Sequence, residues 1–149
     1  MSHLKSVANK VRTLHSTTSL EADANAPTFP TGPTAGVMKF AGDFKGADIK
    51  GFEFTCGALD TITALDATIE HSHDGTNWHT LKALTQATGA SVTQADLDDG
   101  DPEPFRYLRV AYAATGVYGS AASVATKVLF SQPRPRGLLA GPGRIDQNG

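Results

Sequence analysis

Three histidines form the strongest candidate metal site in the chain. His71 and His73 stand two residues apart in a strand-like segment, and His79 follows an Asp74-Gly75 turn signal. Side chains two apart on a strand share a face, so His71 and His73 could reach one ion, with His79 as a third ligand from the returning strand. Zinc takes such imidazoles. No fourth ligand is evident and the turn bends the chain after His73, so we interpret the three as exposed hairpin histidines without a metal.

A second candidate is the acidic segment 96–103, which reads Asp-Leu-Asp-Asp-Gly-Asp-Pro-Glu. Alternating carboxylates around a glycine suit calcium, which takes about six to eight oxygen ligands. The spacing does not match an EF-hand loop, because no bidentate glutamate follows at the required distance and Pro102 interrupts the segment. We predict a solvated acidic turn. Its carboxylates are Asp96, Asp98, Asp99, Asp101 and Glu103.

Nucleophilic and nucleotide-dependent catalysis find no support in the sequence. It contains no Gly-x-Ser-x-Gly motif and no glycine-rich phosphate loop, and Cys56 has no basic neighbour along the chain. Cys56 ends the run Phe-Glu-Phe-Thr-Cys, which is typical of a small buried thiol, and a single cysteine cannot form an intramolecular disulfide. We predict a protein that is not an enzyme and uses no cofactor.

The aromatic and basic residues near the predicted hairpin are candidates for binding. Trp78, the only tryptophan, fits either a platform for sugar stacking or an anchor at the foot of a hairpin, and its place beside a turn favours the anchor. Arg106 and Arg109 are predicted to lie on opposite faces of one strand. They therefore cannot form a single basic patch, and we expect at least one to pair with an acid.

These groups must be positioned by short strands. Segments in which apolar and polar residues alternate recur every ten to fifteen residues. They are separated by clusters of Gly, Asp and Pro, and no long helical pattern lies between them. This favours an all-β, antiparallel β-sandwich of jelly-roll type over βαβ units. The predicted strands are 37–40, 49–56, 62–71, 78–84, 91–96, 105–113 and 122–130. The residues predicted to share a face within a strand are Phe52 with Phe54; Ala67 with Ile69; Leu108, Val110 and Tyr112; and Val124, Thr126, Val128 and Phe130.

Composition and charge narrow the class of protein. The 149 residues are 40% hydrophobic and 19% charged, which fits one folded domain rather than a disordered chain. The net charge of −2 divides into +3 over residues 1–20, −7 over 21–131 and +2 over 132–149. An acidic body argues against nucleic-acid binding by the domain. With no apolar run of about 20 residues and no signal-peptide pattern, we expect no membrane contact and synthesis in a cytoplasm.

The two ends are predicted to be arms outside the domain, which we place at 37–131. Within 1–36, Leu4, Val7, Val11 and Leu14 are spaced as on a short amphipathic helix. Residues 24–36 hold three prolines and two glycines and predict an extended connector. Residues 132–149, with three prolines and four glycines, predict an extended basic tail.

Two segments carry a family resemblance. Residues 72–78, Ser-His-Asp-Gly-Thr-Asn-Trp, and residues 105–110, Phe-Arg-Tyr-Leu-Arg-Val, resemble a pattern found in two groups of β-sandwich proteins. One group is the discoidin-like, galactose-binding type. The other comprises structural proteins of tailed bacteriophage particles, including head decoration (cement) proteins. The sandwich here is short, the chain shows no disulfide or secretion signal, and arms flank the domain, so the resemblance to the phage proteins is preferred.

That resemblance implies a virion structural protein, assembled in the bacterial host cytoplasm, that reinforces a capsid and is held by its arms. The implied partners are the major capsid protein or other shell subunits, with self-association, for example into trimers. The predicted shell-binding residues are Leu4, Val7, Lys10, Val11, Arg12, Leu14, Arg134, Arg136, Leu138, Leu139 and Arg144. Two alternatives stay open: a tail or neck component of the same particle, or a carbohydrate-binding module that stacks sugars on Trp78, Tyr107 or Tyr112.

Overall fold

A computed structural model of the protein describes residues 9–20, 34–59, 62–116 and 122–131, with the backbone alone at 34–38 and 116. Within these ranges the chain forms eight β-strands and no helix, and so no helix there could cross a membrane. The strands are β1 (Lys10–Thr17), β2 (Thr34–Asp43), β3 (Asp48–Cys56), β4 (Ile62–Ser72), β5 (His79–Ala83), β6 (Ser91–Asp96), β7 (Tyr107–Gly116) and β8 (Val124–Ser131).

The strands form two four-stranded antiparallel sheets. The first sheet has the order β1-β8-β3-β6 and the second has the order β2-β7-β4-β5. Strand β1 pairs with β8, β2 with β7, β3 with β6 and β4 with β5, so the chain is one long antiparallel hairpin rolled into two layers. Eight strands in two sheets of this kind make a jelly roll. The predicted all-β, jelly-roll-like sandwich is confirmed.

Seven of the eight strands lie where the alternation of apolar residues predicts them. Strand β8 shows why, because its burial alternates strictly from Val124 onward, with every second side chain in the core. Apolar residues on the inner faces of the two sheets fill the space between the layers and hold them together. The residues predicted to share faces are all buried: Phe52, Phe54, Ala67, Ile69, Leu108, Val110, Tyr112, Val124, Thr126, Val128 and Phe130.

A polar chain crosses this apolar core. The hydroxyl of Tyr112 on β7 lies 2.5 Å from Thr126 Oγ1 on β8 and 3.2 Å from His15 Nδ1 on β1. The His15 ring also stacks on Phe40, with 3.4 Å between ring centroids. All three polar side chains are buried, so these hydrogen bonds satisfy groups that would otherwise lose their water. They join both sheets and fix the position of β1.

The helix predicted over Leu4 to Leu14 is wrong where the structure describes it, since Lys10–Thr17 is strand β1. Val11 and Thr13 are β-branched residues that favour a strand. The apolar spacing imitates a helix because β1 carries a bulge between Thr13 and His15, which breaks its strict alternation.

The sandwich therefore reaches further toward the N-terminus than residue 37. It includes β1, and β2 begins at Thr34, inside the predicted connector. The rest of that connector and the predicted tail 132–149 lie outside the described residues, as do Leu4 and Val7.

Candidate functional site

The outer side of the second sheet carries a cluster of aromatic and charged side chains, which we call the Trp78 face. Strand β7 turns Leu108 and Val110 into the core, so Tyr107 and Arg109 point the other way. Trp78 comes from the residue just before β5. The members of the face are Asp43, Glu70, Trp78, Arg106, Tyr107 and Arg109.

Arg109 is held by two contacts at once. Its Nε donates to Glu70 Oε1 at 2.6 Å, because Glu70 on β4 is its direct cross-strand partner. Its guanidinium carbon lies 4.2 Å from the centroid of the Trp78 ring. The Arg109 and Glu70 side chains are only 16% and 20% exposed, so solvent screens this pair less than a typical surface ion pair. The indole is half-buried, as predicted for an anchor at the foot of a hairpin.

Arg106 lies just before β7, and its guanidinium reaches the same outer side of the second sheet as Arg109, so the prediction that the two arginines lie on opposite faces of one strand is wrong. Its Nε and Nη2 donate to the two carboxylate oxygens of Asp43 at 3.0 and 2.9 Å, and its guanidinium carbon lies 4.8 Å from the Tyr107 ring centroid. The hydrogen bond from Arg106 is the main cause that lowers the pKa of Asp43, with further contributions from the Lys45 N–H and nearby charges. The expectation that at least one of the two arginines pairs with an acid is confirmed for both.

The loop before Trp78 is shaped by its own hydrogen bonds. Asp74 Oδ1 accepts the backbone N–H groups of Thr76 and Asn77, both at 2.8 Å, and the Ser72 hydroxyl accepts the Gly75 N–H at 2.9 Å. These bonds, led by those from the Asn77 and Thr76 backbone, hold the pKa of Asp74 well below its usual range. Gly75 has φ of 77°, a left-handed conformation that favours glycine. The loop therefore delivers Trp78 to β5 in a defined position.

The two sequence segments of the family resemblance meet in this face. Trp78 from the first segment stacks with Arg109 from the second, and a side chain added at Gly75 would lie 3.9 Å from the Tyr107 ring. Their residues thus support one another as parts of one scaffold.

The Trp78 face carries residue types that are common at binding surfaces. Its two arginines are balanced by two carboxylates. Tryptophan, tyrosine and arginine are the residue types that dominate energetic hot spots at protein interfaces. They lie here on a strand-supported surface whose side chains are already fixed by contacts.

The three histidines gather around Phe105. The His71 and His73 rings stack on Phe105, with centroid distances of 4.1 and 3.5 Å, and His79 approaches it edge-on at 6.5 Å. His71 is buried, so the interpretation of all three histidines as exposed is wrong for this one, and its Nδ1 accepts the Phe105 N–H at 3.1 Å. Burial, and then the neighbouring His79 and His73, lower the pKa of His71. Across the ranges that the structure describes, no three His, Cys, Asp or Glu side chains are grouped to hold a metal ion.

The acidic segment forms a turn beside a polar cleft of about 230 Å³. Asp101 Oδ2 accepts the Asp98 N–H at 2.8 Å and the Lys82 ammonium at 3.0 Å, so one carboxylate closes the turn and ties it to β5. The predicted turn is confirmed. The side chains that line the cleft include Asp48, Asp98, Asp99, Asp101 and Glu103.

Four of the predicted shell-binding residues lie on β1, and two of these serve the fold. Arg12 donates to the Asp43 carbonyl oxygen at 2.6 Å and covers the Phe44 ring at 4.6 Å, and Leu14 packs against the core. Lys10 and Val11 are exposed. The prediction that these residues form a free helical arm is therefore wrong. The remaining predicted contacts lie outside the described residues: Leu4, Val7, Arg134, Arg136, Leu138, Leu139 and Arg144.

Two further predictions are decided by burial. Tyr112 is fully buried and cannot be a stacking platform, so that part of the carbohydrate alternative is wrong. Cys56 is the buried thiol that its sequence context predicts, and burial raises its pKa.

Sequence reasoning missed the partners that complete the Trp78 face. Glu70 and Asp43 lie 39 and 63 residues from the arginines they hold, and nothing in their local sequence marks them. The signal that could reveal Glu70 is the register in which β4 pairs with β7. Once the β4–β7 pairing is drawn from the apolar alternation, Glu70 falls opposite Arg109.

Comparison with known proteins gives little beyond the fold. No protein-family model and no curated protein matches the chain. Among solved structures, one that matches is a GH26-CBM35 beta-(1,4)-mannanase from Podospora anserina, with 11% identity and a TM-score of 0.38. The alignment covers 93% of this chain and 32% of the mannanase chain, so this chain spans about a third of that protein's length. A likeness of this size carries no argument about function.

Proposed function

We propose that this chain is a non-catalytic virion structural protein of the decoration (cement) type, and that it docks on shell subunits through the Trp78 face. The observation that carries the proposal is the concentration of one tryptophan, one tyrosine and two arginines on a single face of a rigid sheet. Such residues contribute most of the binding energy at protein interfaces. Because Arg106 and Arg109 are already paired, docking would not bury an uncompensated charge.

The virion setting is supported by the sequence resemblance to phage β-sandwich proteins. A jelly roll is compatible with it, since viral capsid and lectin domains both use this fold, but a fold does not by itself assign a function. Location within the particle separates a head protein from a tail or neck component. Further contacts are proposed for the flanking segments, through Leu4, Val7, Arg134, Arg136, Leu138, Leu139 and Arg144.

The docking face can be tested by adding bulk without removing any packing. Ala41 is exposed on β2 and is the register partner of Arg109, so Ala41→Gln enlarges the Trp78 face. Thr13→Gln is the matched control, because Thr13 is exposed on an edge strand of the other sheet. The full chain is added to purified particles that lack it, and the bound fraction is measured after sedimentation.

We expect Ala41→Gln to weaken retention by about tenfold or more and Thr13→Gln to leave it unchanged. Equal retention of both variants would show that the Trp78 face does not dock. Failure of the wild-type chain to bind the particles would contradict the docking function itself.

A carbohydrate-binding module is the second candidate, favoured by the partial exposure of Trp78 and Tyr107 on one face. Each ring already has a guanidinium on one side, at 4.2 and 4.8 Å, which leaves its other side or its edge for a sugar. Affinity electrophoresis in gels that contain neutral polysaccharides tests this reading. Migration slowed in the wild type and restored in Trp78→Ala, with an unchanged circular dichroism spectrum and unaffected particle binding, would favour the sugar.

A further inference from the structure

Four strands lie at the edges of the two sheets, namely β1 and β6 in the first sheet and β2 and β5 in the second. An edge strand presents unpaired backbone N–H and C=O groups to which another chain can add. Proteins commonly block such pairing with a bulge, a lysine or a proline in the edge strand.

Three of these edges carry both a bulge and a lysine. In each case the edge strand has one residue more than the strand it pairs with, which twists it locally and interrupts its row of hydrogen-bonding groups. The extra residues lie within 13–15 of β1, 34–37 of β2 and 80–82 of β5, and the lysines are Lys10, Lys39 and Lys82.

Strand β6 has neither protection. Residues 91–96 pair with 51–56 of β3 in unbroken register, and their sequence, Ser-Val-Thr-Gln-Ala-Asp, contains no lysine, arginine or proline. Val92, at its second position, is 68% exposed and has the largest exposure among the large apolar side chains of the described ranges. No other strand in those ranges pairs with the free edge of β6.

We propose that two copies of this chain pair antiparallel along β6, so that their first sheets join into one eight-stranded sheet. Residues 91–95 carry no charge, so identical strands meet without like-charge repulsion even though residues 21–131 sum to −7. With a two-fold axis that passes through Thr93 perpendicular to the sheet, Val92 lies opposite the partner's Gln94. The outer faces of the two first sheets then lie on the same side of the joined sheet. Asp96 then lies opposite the partner's Ala90, which is uncharged.

The pairing is short and therefore weak. Six residues make a ladder of about 20 Å, and the area it covers falls below the roughly 1,200 Å² of a stable specific interface. We expect a dissociation constant in the range of about 10–100 μM. The Trp78 face lies on the other sheet, so this inference goes beyond the proposed docking function and does not depend on it.

The experiment compares two valines of the same sheet. Val92→Lys places a charge on the β6 edge, and Val11→Lys places the same charge on the β1 edge, where the side chain is 60% exposed. Both positions are exposed enough for the fold to be kept, which circular dichroism checks. Sedimentation equilibrium of the full chain up to about 500 μM should show a dimer for the wild type and for Val11→Lys, and dissociation at least about tenfold weaker for Val92→Lys.

Hydrogen exchange supplies a second measurement. The amides of 91–96 should exchange more slowly at high protein concentration, whereas those of β1, β2 and β5 should not change. A monomer at the highest concentration would overturn the proposal, and so would equal dimerisation of the two lysine variants. Concentration-dependent protection at another edge strand would overturn it as well, since that would place the contact elsewhere.

Discussion

The Tyr112 hydroxyl is a sensitive test of how the core is held together. It lies between Thr126 Oγ1 at 2.5 Å and His15 Nδ1 at 3.2 Å, with all three side chains buried. A buried neutral hydrogen bond contributes about 1 kcal/mol net, so Tyr112→Phe, which removes two such contacts, should lower the free energy of unfolding by about 2 kcal/mol. For a chain of this size that corresponds to about 4–8 °C in Tm. Thr126→Val removes one contact and should cost about 1 kcal/mol.

The double variant separates a shared network from two independent sites. Once Tyr112→Phe has removed the hydroxyl, Thr126→Val has no further bond to that hydroxyl to break, so the double variant should cost about 2 kcal/mol rather than about 3. Urea unfolding followed by the fluorescence of the single tryptophan, Trp78, gives the four values. Additive costs, within about 0.5 kcal/mol, would refute the network.

Three further perturbations test other parts of the structure. Gly51→Ala should lower the free energy of unfolding by about 2 kcal/mol, because a Cβ there would lie 2.7 Å from the Ala95 carbonyl oxygen. Gly89→Ala is the control, since a Cβ there meets no atom within 4 Å. Equal melting temperatures for the two variants would contradict the predicted clash at Gly51. Because the pKa of His71 is lowered in the folded protein, the unfolded chain binds a proton at His71 more readily. The contribution of His71 to stability is therefore complete above the unfolded pKa of about 6.5 and is lost as the pH falls through the folded pKa. The urea midpoint should accordingly drop between about pH 7.5 and pH 5 in the wild type and drop less in His71→Gln, and parallel profiles would exclude His71 as the cause. The Cys56 thiol, buried and with a raised pKa, should react slowly with a disulfide reagent in the native protein and rapidly in urea; rapid native reaction would be inconsistent with its burial.

Period-two alternation is enough to predict seven of the eight strands and, in four of them, which residues share a face. It succeeds in strands such as β8, where Val124, Thr126 and Val128 are buried and the alternate residues, Ala125 and Lys127, are less so. Alternation follows from the pleat of a strand with one buried face, and it needs no knowledge of the partner strand. Cys56 and Trp78 were predicted in the same way, from the strand and turn immediately around them.

Contacts between residues that are far apart in the chain cannot be predicted from the local pattern, because they depend on which strands pair and in which register. The sequence predicts a helix over β1 because the bulge disrupts the alternation, and because its inward-facing His15 is polar and hydrogen bonds to Tyr112, 97 residues away. The contact of Arg109 with Trp78 likewise depends on the register of β4, β5 and β7 together. Such contacts become predictable only after a topology is chosen.

The register of β1 with β8 also determines where this domain can be fused to another protein or circularly permuted. Lys10 is the partner of Phe130, so the polypeptide enters and leaves the jelly roll side by side, with the two backbones about 5 Å apart. A protein fused before β1 or after β8 would be attached at the same end of the domain. A circular permutant that joins these two points with a short linker and opens the chain at Gly89, where nothing lies within 4 Å of a Cβ, would keep every ladder of both sheets.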